Sequence, residues 1–256
     1  LFAGYRQYSI LYYSQLLSKV PRIGIEFKNS TFNNYLSRLN RLTDISRETN
    51  EGLKMAFLMT MELSSDSPFG VFKKEKQKSL NHETDPFLPF INLNKRTKDR
   101  VMHEKMIFSD LILQLPSQFL TKVDRATMAL GVESRVPLLD DKFAEFCLSI
   151  PYKWNINFFE RKILLRKYLT QKLPKSITKS PKSGFGVPYG TWIYSRLFED
   201  VKGSILNNQF IEEFGLDRNK LEKLIFTNKD ENSRKRFLIW KLFQLSKWFD
   251  LVHNAV

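Results

Sequence analysis

The stretch L-P-S-Q-F-L-T-K-V-D-R-A-T-M-A, residues 115–129, has the residue pattern of a helix. Pro116 fits the first turn, where its missing N–H leaves no helical bond unmade. Apolar residues then recur at intervals of four, three and four positions, which predicts a buried stripe of Phe119, Val123, Ala126 and Leu130. Lys122 and Arg125 lie three positions apart on one side of this helix, with Asp124 beside them. Gly131 interrupts the pattern, so we expect the helix to end there.

The segments on both sides of this stretch also predict helices. Helical apolar spacing spans residues 8–20, and residues 29–63 hold two further candidate helices. A helix capped by Asp140 or Asp141 runs toward Pro151, and residues 160–172 form a strongly basic amphipathic helix. Residues 192–214 and 218–252 are again helical, with candidates for core or docking surface at Trp240, Phe243, Leu245, Trp248 and Phe249. No alternating strand series occurs, so we expect a mainly α chain.

Residues 64–100 differ from the flanking segments because they are polar and dense in charge. We interpret this stretch as a surface excursion or a linker. The K-K-E-K-Q-K cluster at residues 73–78 lacks interleaved aromatic rings. It therefore predicts solvated surface rather than a platform on which bases stack.

Composition limits the class of protein. The 256 residues are 42% hydrophobic and 27% charged, the balance of a globular chain. The net charge of +14 admits nucleic acid, acidic lipid or a phosphorylated small molecule as partners without choosing among them. One cysteine excludes an intrachain disulfide, and three scattered histidines predict no metal cluster. No apolar run reaches the ~20 residues of a bilayer span, so we expect a cytoplasmic protein.

The loop K-S-P-K-S-G-F-G-V-P-Y-G-T-W, residues 179–192, excludes an ordinary helix or central strand because of its prolines and glycines. Lys182 follows Pro181, and Gly184 lets a ligand approach the backbone, which suits either a phosphate site or a structural turn. Lys122 and Arg125 likewise either face a phosphate or belong to a solvated helix surface. Three other charged residues carry open or structural interpretations. Asp124 is an ion-pair partner, a metal ligand or neither, and Glu133 with Arg135 predicts a buried structural pair.

Several motifs occur in a fixed order along the chain. They are L-F-A-G-Y-R at 1–6, residues 115–129, G-V-E-S-R-V-P-L-L-D at 131–140, R-K-I-L-L-R at 161–166, L-P-K-S-I at 173–177 and S-P-K-S-G-F-G-V-P at 180–188. This series resembles the synthetase domain of glutamine-hydrolysing asparagine synthetases. The resemblance spans nearly the whole chain and is firmest over residues 115–192.

The resemblance implies a fold. The family's synthetase domain is an α/β ATP-pyrophosphatase-type, adenine nucleotide α-hydrolase-like domain. Residues 1–256 correspond to its helical C-terminal half and lack most of its parallel sheet. Such a half is expected to expose apolar surface where the sheet would lie. The chain also begins at Leu1 rather than methionine, which we interpret as an N-terminal truncation.

The resemblance also implies an activity. The family adenylates a carboxylate, here expected to be aspartate, with ATP and Mg²⁺, and ammonia from glutamine then displaces AMP. The matching lysine, Lys182, is expected to be catalytic and to contact the ATP phosphates. Gly184, Lys122, Asp124 and Arg125 are expected near the nucleotide. Ser180 replaces the family's usual arginine two positions before that lysine, which leaves any contact of that arginine unassigned.

Other family motifs do not occur in these 256 residues. The S-G-G-x-D-S nucleotide loop, the S-G-E-G-G-D-E segment and the glutaminase cysteine are absent. We therefore expect a chain that is inactive alone and needs an N-terminal portion or a separate subunit, and a homodimer is compatible with it. The alternative is a non-catalytic basic helical binding or scaffold protein, including a degenerate paralogue. Scattered basic residues without a nucleic-acid motif disfavour nucleic acid as its partner.

Overall fold

The protein is described by a computed structural model that covers residues 4–21, 30–60, 70–83, 85–157, 159–178, 180, 186–227 and 233–253. Every regular element in these ranges is helical, with two isolated β-bridges that join Phe72 to Leu216 and Ile156 to Arg161. The mainly α prediction is confirmed. The chain divides into two compact units, unit 1 from Leu1–Ile23, Leu39–Thr60 and Pro86–Lys182, and unit 2 from Gly24–Arg38, Met61–Asp85 and Ser183–Val256.

The described helices occur in a single order along the chain. The first group is α1 (Arg6–Leu17), α2 (Ser30–Arg47), α3 (Glu51–Met59), α4 (Lys74–Glu83), α5 (Leu88–Arg96), α6 (Met102–Ser109), a π-helix (Asp110–Leu120), α7 (Thr121–Met128) and a 3₁₀ turn (Pro137–Leu139). The second group is α8 (Asp141–Ser149), α9 (Tyr152–Asn155), α10 (Ile163–Leu169), α11 (Lys175–Thr178), α12 (Tyr189–Trp192), α13 (Phe198–Ile205), α14 (Asn208–Phe214), α15 (Arg218–Phe226) and α16 (Ser233–His253). Among the described helices, none combines the length and apolarity that a bilayer span requires.

A buried lysine joins three helices of unit 1. The Lys105 ammonium lies 2.6 Å from Glu51 Oε2 on α3 and 2.9 Å from Asn94 Oδ1 on α5. Its side chain is only 4% exposed, so both partners offset the cost of burying the charge. α3 and α5 approach so closely that a Cβ on Gly52 would lie 2.7 Å from Ile91 Cα. The start of α3 is therefore fixed by packing as well as by its Asn50 cap.

The helix around Pro116 does not begin at that proline. α6, the π-helix and α7 are continuous from residue 102 to residue 128, and Pro116 lies inside the π-helix. The Thr121 N–H donates to the Pro116 carbonyl five residues earlier. The wider winding accommodates a ring that would clash with the preceding turn of an α-helix. The predicted start was wrong because the sequence pattern does not reveal π geometry.

The predicted stripe on this helix is exposed rather than buried. Phe119 and Val123 are 37% and 39% exposed, Leu130 is 84% exposed, and α7 has no buried residue. Residues 112–148 also expose Met128, Val132, Val136, Leu138, Phe143 and Phe146. The prediction of a buried stripe was wrong, and the expected apolar surface where the sheet would lie stays a prediction.

Other local predictions had mixed outcomes. Asp140 caps α8 by accepting a hydrogen bond from the Phe143 N–H at 3.1 Å. The prediction of a cap at Asp140 or Asp141 is therefore confirmed for Asp140. α7 ends three residues before Gly131, which has φ +68°. The basic helix predicted over residues 160–172 is confined to Ile163–Leu169, because Lys162 has a left-handed backbone and residues 170–172 form a turn. The predicted boundaries of that helix were wrong at both ends.

Unit 2 has its own aromatic core. Phe210 and Phe249 meet edge to face, with ring centroids 5.8 Å apart, and Phe214 packs against both rings. Val71 is buried in this core, next to the bridge from Phe72 to Leu216. Of the residues predicted as core or docking surface, four belong to it, namely Trp240, Phe243, Leu245 and Phe249. Trp248 does not, because its side chain lies on the outer face of α16 and is 56% exposed.

Candidate functional site

Two adjacent cavities of unit 1 share Gly4 and Lys162 as lining residues. The first, which we name the cationic cavity, has a volume of about 780 Å³. Its charged lining residues are Glu160, Arg161, Lys162, Arg166 and Lys167. The second, which we name the apolar cavity, has a volume of about 550 Å³ and is walled by the π-helix, α7 and residues 134–139. Both volumes are typical of small-molecule sites.

The cationic cavity gathers four positive side chains around one carboxylate. Its charge therefore favours an anion, and guanidinium and ammonium groups bind phosphate oxygens through charge-assisted hydrogen bonds. Thr170 and Thr178 add hydroxyl groups to the wall. The arrangement can hold a phosphorylated ligand.

A tight turn positions two of these cations. Asn157 Oδ1 accepts hydrogen bonds from the N–H groups of Phe159 and Glu160 at 2.8 and 2.7 Å, and the Asn157 N–H donates to the Glu160 carbonyl at 2.9 Å. This side-chain-stabilised turn leads directly into Arg161 and Lys162. Arg161 Nη1 then donates to Ser9 Oγ at 3.1 Å, which connects the turn to α1.

Lys162 has an unusual backbone. Its φ of 56° and ψ of 40° place it in the left-handed region, and within the described residues no other non-glycine residue has a positive φ. Side chains rarely adopt this conformation, and residues that do so often belong to functional sites. The Lys162 side chain crosses Gly4 so closely that a Cβ there would lie 2.5 Å from Lys162 Cε. Gly4 therefore leaves the space that Lys162 occupies between the two cavities.

Arg166 connects the cationic cavity to the segment that precedes the glycine-rich loop. Its Nη1 donates to the Thr178 carbonyl at 2.6 Å. Thr178 ends α11 and is itself buried. Lys182 follows four positions later in the sequence, but Lys182 and Gly184 lie outside the described residues. The structure thus fixes the described chain immediately before this loop at the wall of the cationic cavity.

The apolar cavity contains a fixed carboxylate. The Tyr8 hydroxyl donates to the Met106 carbonyl at 3.1 Å and to Asp110 Oδ2. Burial, and next the negative charge of Asp110, raise the pKa of Tyr8, and the same two causes raise the pKa of Tyr5. Both phenols therefore remain neutral donors at physiological pH. Gln114 Nε2 donates to the Met59 carbonyl at 3.1 Å and fixes the π-helix behind the cavity.

Comparison with known proteins identifies the family. The sequence profile described as asparagine synthase matches residues 1–250. The chain belongs to the asparagine synthase family. The resemblance carried by the motif series is therefore confirmed over nearly the whole sequence.

Individual relatives in this family are distant. Asparagine synthetase [glutamine-hydrolyzing] 1 of Bacillus subtilis is 26% identical over 189 residues, 69% of this chain and 30% of the relative. A putative asparagine synthetase [glutamine-hydrolyzing] of Mycobacterium tuberculosis is 34% identical over 89 residues, 35% of this chain and 14% of the relative. Asparagine synthetase [glutamine-hydrolyzing] 3 of Bacillus subtilis is 26% identical over 160 residues, 57% of this chain and 25% of the relative. The chain thus matches less than a third of each relative's length, and no solved structure matches it significantly.

The helical site residues expected from the asparagine synthase family lie on exposed α7. Lys122 and Arg125 line neither the cationic nor the apolar cavity, and Lys122 Nζ lies 5.7 Å from the centre of the Phe119 ring. Asp124 lines a depression of about 430 Å³ that adjoins the apolar cavity, since Ser134 and Val136 line both. The nucleotide contacts of these three residues stay a prediction.

Two further sequence interpretations are resolved. Arg135 and Glu133 form an ion pair at 3.0 Å, as predicted, but their side chains are 82% and 68% exposed, so the predicted burial was wrong. The cations of the predicted basic helix line the cationic cavity, namely Arg161, Lys162, Arg166 and Lys167. The R-K-x-x-x-R spacing shows that these charges are close in sequence. It does not show that they line one cavity, which depends on the turn at Asn157.

Proposed function

We propose that this chain is the C-terminal part of the synthetase domain of an ATP-dependent ligase that converts a carboxylate, expected to be aspartate, into an amide. The observation that carries the proposal is the cationic cavity, whose Arg166 holds Thr178 at the start of the Lys182 loop. Membership of the asparagine synthase family supports the same chemistry. Both supports concern a phosphate-bearing substrate.

The reaction would proceed in two balanced steps. A carboxylate oxygen of the acceptor forms a bond to the α-phosphorus of ATP while pyrophosphate leaves. Ammonia, released from glutamine elsewhere in the enzyme, then forms a bond to the acyl carbon while AMP leaves and a proton is lost. The first step develops negative charge on the departing phosphates, which is where preorganised cations lower the barrier.

Different residues of the chain would bind the phosphates and position the loop. Lys182 matches the family lysine that contacts the ATP phosphates, and we propose it as the catalytic cation, with Gly184 allowing close approach to the loop backbone. Lys162, Arg161 and Lys167 would neutralise the phosphate charge from the cavity wall. Arg166 would act as a positioning residue, since its described partner is the Thr178 carbonyl rather than solvent.

The described residues fit phosphate better than they fit magnesium. Four cations line the cationic cavity, whereas the described part of the chain contains no group of three or more histidine, cysteine, aspartate or glutamate side chains suited to a metal. We therefore assign no step to Mg²⁺ in this chain. We propose that Mg²⁺ is held by the ATP phosphates and by residues outside the described ones.

The remaining machinery would come from another polypeptide segment. The S-G-G-x-D-S loop is not among the 256 residues, so we propose that the chain acts together with a segment that carries it. The exposed apolar surface over residues 112–148 is where the parallel sheet of an ATP-pyrophosphatase-type domain would pack. Alone, the chain would then bind phosphate without completing the reaction.

The test is exchange of radiolabelled pyrophosphate into ATP in the presence of aspartate and Mg²⁺. Three samples are compared: the chain alone, the chain with a polypeptide that carries the nucleotide loop, and the same pair with Lys182→Ala. Lys142→Ala is the matched control because Lys142 is an exposed lysine on α8 outside the cavities.

We expect exchange in the pair and in its Lys142→Ala form, and loss of exchange by at least about a hundredfold with Lys182→Ala. Exchange that survives Lys182→Ala would remove Lys182 from the reaction. A folded, associated pair without exchange would contradict aspartate adenylation and favour a non-catalytic scaffold.

A further inference from the structure

Helix α16 packs one side against the core of unit 2 and exposes the other side. Its buried residues include Ile239, Leu242, Phe243 and Phe249. On the exposed side, residues recur at intervals of three and four positions, the spacing of one helix face. They are Lys241, Gln244, Trp248, Leu251 and Val252. We name these five residues, together with the exposed Lys247, the α16 outer face.

The α16 outer face is apolar toward the end of the helix. Trp248, Leu251 and Val252 are 56%, 73% and 45% exposed. Leu251 and Val252 lie three and four positions after Trp248, so their side chains are its neighbours on the helix surface. The three residues therefore form one apolar patch rather than scattered exposed side chains. An exposed patch of this kind is typical of an interaction surface.

Two lysines place positive charge beside this patch. The Lys241 ammonium lies 5.2 Å from the centre of the Phe237 ring. The Lys247 ammonium lies 5.4 Å from the centre of the Phe243 ring. These contacts keep the apolar stems of both lysines along the helix. Because Lys247 directly precedes Trp248, the α16 outer face combines an aromatic ring, aliphatic groups and cations.

This combination distinguishes among three kinds of partner. In a symmetric contact with a second copy of α16, the lysines of both copies would lie in one small interface, and like charges oppose that arrangement. A nucleic acid would pair with the lysines and stack on Trp248, but Leu251 and Val252 offer its bases and phosphates no matching group. An anionic bilayer surface matches all of these side chains, because it offers phosphates to the lysines and acyl chains to the apolar groups.

We propose that the α16 outer face binds the surface of an anionic lipid bilayer. Trp248, Leu251 and Val252 enter the boundary between headgroups and acyl chains, where tryptophan is favoured. Lys241 and Lys247 pair with the lipid phosphates. The buried side of α16 stays packed on the core of unit 2, so the helix lies on the membrane rather than across it. This interaction is separate from the proposed ligase chemistry, since it uses no residue of the cationic cavity.

The test is sedimentation of the full chain with lipid vesicles. One set contains phosphatidylcholine with about one third phosphatidylglycerol, and the other contains phosphatidylcholine alone. We expect binding to the anionic vesicles to be at least about tenfold tighter than to the neutral ones. Trp248→Ala should weaken this binding about tenfold, and Lys247→Gln should weaken it about fivefold.

Two matched controls separate these effects from general changes in apolarity and charge. Trp154→Ala removes another exposed tryptophan, which is 63% exposed in unit 1. Lys142→Gln removes one positive charge from the exposed surface of α8. Both control variants should bind the anionic vesicles as the unchanged chain does.

Tryptophan fluorescence provides a second readout of the same contact. Anionic vesicles should shift the emission of the unchanged chain to shorter wavelength. Trp248→Phe should keep most of the binding while it loses most of the shift, although three other tryptophans remain.

Several outcomes would overturn the proposal. One is a folded chain that does not bind anionic vesicles, and another is equal binding by Trp248→Ala and the unchanged chain. Self-association that disappears in Trp248→Ala, without vesicle binding, would overturn it in favour of a second copy. Binding of a single-stranded oligonucleotide that depends on Trp248, again without vesicle binding, would overturn it in favour of nucleic acid.

Discussion

Arg166 donates a hydrogen bond from Nη1 to the backbone carbonyl of Thr178, twelve positions later, at 2.6 Å. The bond joins α10 to the end of α11 and is formed by a charged donor. Such bonds contribute about 1.5–3 kcal/mol, roughly twice the value of neutral ones. The cation thus determines where the chain lies just before the glycine-rich loop.

Arg166→Ala should lower the free energy of unfolding by about 2 kcal/mol, because the buried Thr178 carbonyl loses its charged donor. Urea denaturation followed by circular dichroism measures the change. Lys172→Ala is the control, since Lys172 is an exposed cation in the turn after the same helix. Equal losses in the two variants would show that the Arg166 bond does not stabilise the fold.

Gly4→Ala should weaken binding of inorganic pyrophosphate by several fold with little effect on stability. The new methyl group would lie 2.5 Å from Lys162 Cε, and the flexible end of the lysine would move away from the cavity. Gly4→Ala combined with Lys162→Gln should be no weaker than Lys162→Gln alone, because both changes act through one ammonium group. Additive losses in the double variant would contradict this coupling, and Gly203→Ala, whose Cβ meets open space, is the control.

Tyr8→Phe should destabilise unit 1 by about 1–3 kcal/mol, because the Met106 carbonyl and Asp110 lose a buried donor. The pKa of Tyr8 is raised in the folded chain by burial and by Asp110. Its contribution to stability is therefore present below the ordinary tyrosine pKa of about 10 and is lost as pH rises above that value. The difference in unfolding free energy between the two proteins should shrink as pH rises from about 10 toward about 12, whereas a constant difference would contradict the assignment.

His103→Phe should reduce the acid sensitivity of the fold while keeping a ring against Tyr152. Burial lowers the pKa of His103 below its ordinary 6.5, so in acid the unfolded chain binds a proton that the folded chain resists. Stability therefore falls as pH decreases below about 6.5, and the variant should lose less between about pH 7 and pH 5. Thermal unfolding across this range measures the slope, and parallel slopes would contradict a buried neutral imidazole.

Local sequence rules predicted helices well because their signals are contained within a few residues. The Asp140 cap and the helix end before Gly131 depend on neighbouring backbone groups alone. Burial of Phe119 and Leu130 could not be predicted in the same way, since periodicity shows only that a face is apolar and not what covers it. The π winding at Pro116 likewise has no distinct residue pattern.

The site was predicted less completely than the helices. Lys182 was singled out by its loop and by the family motif, and its role stays a prediction. The cationic cavity lies beside the segment that precedes Lys182. Residues from distant parts of the sequence line it, namely Gly4, Lys162, Arg166 and Thr178. Their convergence depends on a left-handed lysine and on a long-range hydrogen bond, and neither is encoded in local spacing.

The most direct test of the cationic cavity is calorimetric titration of the chain with inorganic pyrophosphate. Lys162→Gln removes one cavity charge, and Lys142→Gln removes one exposed charge from α8. We predict that the unchanged chain and Lys142→Gln bind pyrophosphate alike and that folded Lys162→Gln binds about tenfold more weakly. Equal binding by all three proteins, or no binding by any of them, would contradict a phosphate site in this cavity.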